Sequence, residues 1–313
     1  MIATADRPVR TRPTPRPVAA AAVESPSRLA DYLELTKPRV VMMVLVTTLV
    51  GYYLGAEGTP SLVRLLHTLV GTALAAGGTL ALNQYLERDL DARMERTRHR
   101  PLPDGRLLPV EALAVGVALL AGGLGYLEAA VGAPTALVTT AISATYLLLY
   151  TPLKRVSSLC SLVGAIPGAL PPVAGWAAAR GTVGPEAWVL FAIMYLWQIP
   201  HTLAIGRMYR DDYARAGIRV LPVIDGDGSS TATHAVVNCL ALLPVALLPT
   251  LLGMAGPLYF ATALVLGLGF LWSAIGLART RSLGDARRLL VTSLVYLPLL
   301  LATMALDKLP ITR

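Results

Sequence analysis

Long runs of apolar residues, separated by short polar segments, cover most of this 313-residue chain. Each run has roughly 17–23 residues, enough for a helix to cross the hydrocarbon core of a bilayer. Helices are favoured over strands, because the runs lack the alternating pattern of a barrel and lipid cannot satisfy open backbone groups. Nine membrane-spanning helices are predicted, near residues 40–56, 64–86, 107–127, 133–151, 157–179, 186–207, 233–253, 256–277 and 288–306.

Composition agrees with an all-α integral membrane protein, since 55% of the residues are hydrophobic and 15% are charged. Segments on the N-terminal side of the membrane carry 23 of the 27 lysines and arginines. Basic residues concentrate in cytoplasmic segments, so the N-terminus is predicted in the cytoplasm and the C-terminus outside, in a multi-pass protein of the inner (cytoplasmic) cell membrane. The net charge of +8 is attributed to topology and to membrane lipid, and no nucleic-acid partner is expected.

Residues 1–30 are rich in Pro, Arg and Ala and have no apolar core. Prolines at positions 8, 13, 15 and 17 oppose a regular amphipathic helix, which argues against the alternative of a mitochondrial presequence. The segment is predicted to be a disordered cytoplasmic tail. A polytopic membrane domain then occupies residues 31–313.

Two charged segments, four helices apart, resemble each other. Span two ends in E-R-D-L-D-A-R and continues to R-P-L-P, and span six ends in Y-R-D-D-Y-A-R and continues to R-V-L-P. The similarity suggests a parallel four-helix repeat plus one additional helix. Both charged loops then lie on the same side of the membrane, where we expect them to face one cavity.

The densest group of charges follows Asn83. Asn83, Glu87 and Asp91 are four residues apart, so on a continuing helix they lie along one face over about two turns, or roughly 12 Å. An amide and two carboxylates offer hard oxygen ligands, and magnesium prefers few protein carboxylates completed by water and phosphate oxygens. Neighbouring arginines can neutralise those phosphates through paired N–H donors, and they are Arg88, Arg93, Arg96, Arg98 and Arg100.

A simpler interpretation is that the acids of this segment pair with neighbouring arginines on a solvated helix end. Asn83 argues against it, because it lies deeper in the span, where an unpaired amide is costly. Arg210, Asp211 and Asp212 repeat the mixture of charges at the end of span six. A metal–diphosphate site is therefore favoured over a purely structural one.

The N-x3-E-x3-D spacing over residues 83–91, followed by R-P-L-P at 100–103, resembles the signature of UbiA-type intramembrane prenyltransferases, specifically their protohaem IX farnesyltransferase (haem O synthase) branch. The resemblance extends over most of the chain. Five further motifs carry it: L-T-K-P-R-V at 35–40, Y-T-P-L-K-R at 150–155, G-A-I-P-G-A-L-P-P-V-A-G-W at 164–176, W-Q-I-P-H at 197–201 and R-D-D-Y-A-R-A-G-I-R-V-L-P at 210–222. The combination is specific to the family, whereas each motif alone is weak.

The resemblance implies nine transmembrane helices around a central cavity open to the cytoplasmic side. It implies farnesyl diphosphate as the prenyl donor, haem b as the acceptor and Mg²⁺ as the cofactor. The implied reaction adds the farnesyl group to a haem vinyl group, hydroxylates the resulting side chain and releases diphosphate, giving haem O. A haem A synthase or a terminal oxidase assembly is implied as the downstream partner.

The resemblance also implies roles for individual residues. Asn83, Glu87 and Asp91 would hold the magnesium ion, and Asp211 and Asp212 are further acidic catalytic candidates. The residues assigned to substrate binding are Lys37, Arg39, Arg88, Arg96, Arg100, Lys154, Arg155, His201 and Arg210. Among these, the histidine is the candidate for an axial haem ligand or a local base.

Two positions depart from the wider superfamily. Glu87 stands where many relatives have Asp, but the longer side chain still offers an oxygen ligand. Tyr209 and Tyr213 occupy the positions of a D-x3-D pair, with Asp211 and Asp212 between them. The resemblance therefore leaves a second magnesium ion at this loop open.

Two other classes of function stay open. Another UbiA-type prenyltransferase, acting on an aromatic quinone precursor or a chlorin, would share the metal site and differ in the acceptor pocket. A non-enzymatic transporter or lipid scaffold is disfavoured, because transporters place ionisable groups near the midplane of the membrane. Here Asp and Glu are confined to the ends of the spans and to loops.

Overall fold

A computed structural model of the chain describes residues 27–310. The predicted tail, residues 1–30, lies outside this range except for its last four positions. The first helix starts at Arg28, so residues 28–30 are helical. The Ser27 side chain caps this helix by accepting a hydrogen bond from the Ala30 N–H. The first helix thus starts before the predicted domain boundary at residue 31.

Within the described range the regular structure is helical and no strand occurs, apart from one isolated bridge between Ala255 and Lys308. Nine of these helices are long and apolar enough to cross a membrane, as predicted. They are α2 (Pro38–Gly55), α3 (Leu62–Asp91), α4 (Pro109–Ala130), α5 (Ala133–Leu153), α6 (Cys160–Arg180), α7 (Pro185–Met208), α10 (Ser229–Leu251), α11 (Pro257–Thr280) and α12 (Leu283–Leu306). The three short helices are α1 (Arg28–Leu35), α8 (Arg210–Arg215) and α9 (Leu221–Ile224). The protein is an all-α, multi-pass membrane protein.

Two helix boundaries differ from their predicted positions by five residues. α3 ends at Asp91 instead of residue 86, and α12 starts at Leu283 instead of residue 288. The predicted boundaries stop where the apolar residues stop, but backbone hydrogen bonding continues into charged sequence when the side chains find partners. The extension of α3 keeps Asn83, Glu87 and Asp91 on one helix, which confirms that part of the prediction.

Two spanning helices are irregular. In α5, residues Thr145–Tyr150 form a π-helical turn, a feature that is rare and frequently found at functional sites. In α6, the segments Cys160–Ala169 and Pro171–Arg180 meet at Leu170, directly before two prolines that lack backbone N–H donors.

α2 and α6 pack at backbone distance. A Cβ atom built on Gly51 would overlap the Pro172 carbonyl, and one built on Gly175 would overlap the Thr48 carbonyl. Small residues of this kind let membrane helices approach closely enough for van der Waals contact along their backbones. The largest buried apolar cluster lies mainly in α6, α7 and α10–α12 and includes Trp176, Tyr259 and Phe270.

The loops at residues 92–108 and 209–228 meet at one end of the bundle, which we call the charged end. The Asp212 carboxylate accepts the backbone N–H groups of Glu95, at 3.0 Å, and Arg96, at 3.4 Å. Met94, which precedes Glu95, packs against Ala216 and Ile218 and so joins the same two loops. The predicted convergence of the two charged loops is confirmed, while the predicted central cavity stays a prediction.

Candidate active site

Three oxygen-bearing side chains are buried in a line near the charged end of α3. Asn83, Glu87 and Asp91 retain 1%, 7% and 1% of their accessible surface. They follow one another at intervals of four residues and therefore occupy one face of the helix. Burying a carboxylate is costly unless it is paired, and a buried amide also needs hydrogen-bond partners. All three side chains therefore need partners from elsewhere in the chain.

Each of the three receives a cationic partner from a different segment. Lys37 Nζ donates to Asn83 Oδ1 at 3.0 Å, and Lys154 Nζ donates to both carboxylate oxygens of Glu87, at 2.8 and 3.1 Å. Arg100 Nη1 donates to Asp91 Oδ2 at 2.7 Å. We call these six residues the α3 site, in which three cations converge on an amide and two carboxylates.

Lys37 reaches the site through an unusual backbone conformation. Its φ of 51° lies in the left-handed region, which a non-glycine residue rarely occupies, and it directly precedes Pro38. Burial and then the nearby charges of Arg100 and Lys154 lower the pKa of Lys37 to about 7. The side chain is thus held among other cations, beside a neutral amide.

The amide nitrogen of the Asn83 side chain is hydrogen-bonded to α5. Asn83 Nδ2 donates to Thr151 Oγ1 at 3.2 Å, and Thr151 Oγ1 donates to the Tyr146 carbonyl at 2.8 Å, across the π-helical turn. Lys154 Nζ lies 4.2 Å from the centroid of the Tyr150 ring. No role for Thr151 or the two tyrosines was predicted from the sequence, although Pro152 in the same motif is a signal of a locally irregular helix.

A second arginine fixes the approach of α1 to the site. Arg106 forms an ion pair with Asp31, another with Glu34 at 3.1 Å and a third with Asp104 at 3.0 Å. It also donates to the His99 carbonyl at 2.7 Å. The arginine therefore ties α1 to the loop after α3, a role that no local sequence pattern revealed.

Gln84 completes the attachment of α1. Its Nε2 donates to the Leu35 carbonyl at 2.7 Å, and the Leu35 side chain is fully buried against Ala81, Leu102 and Leu107. Lys37 comes two residues later, so its position follows from the docking of α1.

Four other predicted site residues lie in a separate group, at a pocket of about 650 Å³ on the charged end. Arg96, Arg210, Asp211 and Asp212 line it. Burial alone raises the pKa of Asp212, but the amides of Glu95 and Arg96 and the Arg215 guanidinium outweigh this effect and lower it. The Asp212 carboxylate is thus engaged in joining the two loops, while Asp211 is exposed.

The rings of Tyr209 and Tyr213 hold one arginine of this pocket. The Arg96 guanidinium carbon lies 5.3 Å from the centroid of Tyr209 and 5.9 Å from that of Tyr213. A guanidinium over an aromatic face is attracted by the ring quadrupole. The two tyrosines at the positions of the D-x3-D pair therefore contact the guanidinium group of Arg96.

The structure does not bring every predicted residue to these two groups. Arg39 and Arg155 are exposed, and Arg88 donates to the Tyr85 carbonyl of its own helix at 2.9 Å. His201 stacks on Trp197, with ring centroids 5.0 Å apart.

Among the described residues, no group of three or more His, Cys, Asp or Glu side chains converges as a complete metal site. The α3 site instead offers one amide and two carboxylates, each already hydrogen-bonded to a protein group. Such a partial set suits magnesium, which takes much of its coordination from water and phosphate oxygens.

Comparisons with known proteins agree with one another. The model of the UbiA prenyltransferase family matches residues 44–300. A protoheme IX farnesyltransferase of Solibacter usitatus is 50% identical over 289 residues, covering 90% of this chain and 99% of that protein. A protein of the same name from Myxococcus xanthus is 43% identical, covering 91% and 97%.

Solved structures share the fold at low sequence identity. A digeranylgeranylglyceryl phosphate synthase superposes with a TM-score of 0.77 at 15% identity, covering 90% of this chain and 98% of that one. A UbiA homologue from Archaeoglobus fulgidus bound to DMAPP and Mg²⁺ superposes with a TM-score of 0.65 at 18% identity, covering 88% and 99%.

Proposed function

This chain belongs to the UbiA prenyltransferase family, and we propose that it transfers the farnesyl group of farnesyl diphosphate to haem b, forming haem O. The observation that carries the proposal is the 50% identity, over nearly the full length of both chains, to a protoheme IX farnesyltransferase. The α3 site supports it independently, because its partly buried cations and buried hard oxygen ligands suit a metal-bound diphosphate.

In the reaction the allylic C–O bond of farnesyl diphosphate breaks and a bond forms between the farnesyl carbon and a haem vinyl carbon. Diphosphate leaves, water adds its oxygen to the other vinyl carbon as the hydroxyl group of the product, and the remaining proton of that water is released. Negative charge grows on the leaving group while positive charge grows on the allylic carbons. The protein must stabilise both charges and limit the access of water.

We assign the magnesium ion to Asn83, Glu87 and Asp91, whose buried oxygens lie on one face of α3. When bound, magnesium supplies positive charge that stabilises the departing diphosphate. UbiA homologues solved with Mg²⁺ and prenyl diphosphates share the fold of this chain, which supports the assignment.

Lys37, Lys154 and Arg100 contribute the protein's own positive charge. Without substrate they neutralise or hydrogen-bond the oxygens of α3. Phosphate oxygens would compete for the same N–H donors, so these cations would hold the diphosphate in place. The Tyr150 ring lies beside Lys154, and the Tyr146 ring lies 5.2 Å from it, centroid to centroid. The π faces of these two rings would stabilise positive charge on the allylic carbons.

His201 is assigned to the haem on the basis of its hydrogen bonding. Its Nδ1 lies 2.8 Å from Ser293 Oγ, and that hydroxyl donates to the Leu290 carbonyl at 2.6 Å. A serine hydroxyl has one proton, so Nδ1 is the donor to Ser293 and Nε2 keeps a lone pair. That nitrogen is available as a haem ligand or as a base.

We place the charged end in the cytoplasm of the cell, in its inner membrane, because most basic residues lie on that side. A haem A synthase or terminal oxidase assembly as the downstream partner stays a prediction.

The deciding experiment compares Asp91→Asn with Asp89→Asn in purified protein supplied with farnesyl diphosphate, haem b and magnesium. The Asp89 side chain is 83% exposed and lies two residues before Asp91, so it serves as a matched control. Turnover should fall at least about 100-fold in Asp91→Asn and stay within about twofold in the control. Haem O is measured by mass spectrometry.

Two results would count against these assignments. Full activity of Asp91→Asn would show that this carboxylate does not serve the metal. An unchanged haem pool with the wild-type protein would favour a quinone precursor or a chlorin as the acceptor.

A further inference from the structure

We propose that the pocket lined by Arg96, Arg207, Arg210 and Arg215, here called the arginine pocket, binds the two propionate carboxylates of haem b. The inference rests on the proposed function, since it assigns an anchor to the acceptor in that reaction. The two substrates carry two kinds of anionic group, a diphosphate and a pair of carboxylates. The charged end has two separate groups of cations.

The first group is the one that we assign to the diphosphate. Lys37, Lys154 and Arg100 come from other segments than the arginine pocket and converge on α3. None of the three lines the arginine pocket. The pocket is therefore available for a different anion.

Three arginines of the pocket have no carboxylate partner among the described residues. The ion pairs in this range include Arg215 with Asp212, but none that involves Arg96, Arg207 or Arg210. Arg207 donates to the Arg281 carbonyl at 3.1 Å, a neutral acceptor. Guanidinium groups that have no carboxylate partner attract planar anions, which they can bind through two parallel N–H donors.

The acids of the pocket cancel only part of this charge. Glu95 pairs with Arg98, and Asp212 is occupied by Arg215 and two backbone amides. Asp211 is the one remaining acid that lines the pocket in the described part of the chain, and it is exposed. In the described part of the chain, three arginines without a carboxylate partner therefore face one acid that forms no ion pair.

The position of the pocket suits a macrocycle that enters from the charged end. Met208 of α7 and the exposed Leu283 of α12 contribute apolar surface to its lining. The same two helices meet deeper in the bundle, where His201 contacts Ser293. His201 precedes Met208 by seven residues, a depth of roughly 10 Å along the helix. Haem carries its propionates on one edge and its vinyl groups away from that edge, so anchored propionates direct the vinyl groups inward.

The test titrates haem b and haem b dimethyl ester, which lacks the two negative charges, into solubilised protein without farnesyl diphosphate. Binding is followed by the Soret absorbance. The wild type should bind the free acid about tenfold or more tightly than the ester, whereas Arg210→Gln should lose most of that preference. Arg210→Lys keeps the charge and should bind the free acid with intermediate affinity.

Arg287→Gln is the matched control, because Arg287 is an exposed arginine near the charged end that does not line the pocket. It should leave the preference for the free acid unchanged. In steady-state assays, Arg210→Gln should raise the KM for haem b by a similar factor while the KM for farnesyl diphosphate stays within about twofold. A thermal unfolding temperature close to that of the wild type in the same detergent shows that the variant is folded.

Equal affinity of the wild type for haem b and its ester would overturn the proposal. A rise in the KM for farnesyl diphosphate instead of haem b would also overturn it and assign the pocket to the diphosphate. Failure of the proposed function looks different, because the wild type would then form no haem O from native haem b.

Discussion

Individual residues in this protein acquire their roles from the backbone that presents them. Lys37 and Arg39 are two positions apart, and both were candidates for substrate binding. The left-handed backbone at Lys37 coincides with its side chain reaching Asn83 Oδ1, whereas Arg39 is exposed at the start of α2. Only the first of them can act inside the α3 site.

This difference predicts unequal effects of substitution. Lys37→Gln removes a partly buried amine whose protonated form would bind the proposed diphosphate, so kcat/KM for farnesyl diphosphate should fall about tenfold or more. Arg39→Gln removes a solvated charge and should change kcat/KM less than about twofold. Steady-state kinetics of both variants provide the measurement. Equal losses in the two variants would remove the special role of Lys37.

Among the helices, packing depends on glycines that local sequence does not distinguish. Gly175 of α6 lies against the Thr48 carbonyl of α2, so a methyl group has no space there. At Gly122 of α4, an added methyl group would meet no atom of another segment within 4 Å. Both are glycines within spanning helices, and only the tertiary contact separates them.

Gly175→Ala should destabilise the protein by about 1–3 kcal/mol, because the added methyl group must push two helix backbones apart. Gly122→Ala should be neutral or stabilising by up to about 1 kcal/mol through helix propensity. Thermal unfolding of both variants in the same detergent gives the comparison. Identical unfolding temperatures would mean that α2 and α6 do not pack as described.

At the scale of the entire bundle, the two joined loops lie at the end that carries most of the basic residues. The loops are joined by Asp212, and the Arg219 N–H donates to the Lys154 carbonyl at 2.8 Å. Both the α3 site and the arginine pocket lie at this end. The membrane orientation therefore decides from which compartment the charged groups of the substrates are reached.

Cysteine labelling in intact cells tests the orientation. The native Cys160 and Cys239 are buried, so the background is low. Thr182→Cys, at the end away from the charged loops, should react with a membrane-impermeant maleimide added outside. Ala214→Cys, in α8 at the charged end, should react only after the membrane is opened. Both positions are exposed, and the opposite labelling pattern would reverse the assigned orientation.

The nine spans, the all-helical class and the line of oxygens on α3 could all be predicted from the amino-acid sequence alone. These features depend on neighbours within a few residues, because an apolar run requires a helix in lipid and the helical period fixes which residues share a face. The extension of α3 from residue 86 to Asp91 depends in addition on Lys154 and Arg100, which come from other segments and pair with its charged end.

Which cations meet which oxygens became clear only from the folded chain. Lys37 and Asn83 are 46 residues apart, Lys154 and Glu87 are 67 apart, and Asp212 and Glu95 are 117 apart. The fold also divided the predicted binding residues between the α3 site and the arginine pocket and left Arg39 and Arg155 exposed. The reason is physical: such pairings depend on how distant segments dock, which local period and composition do not encode.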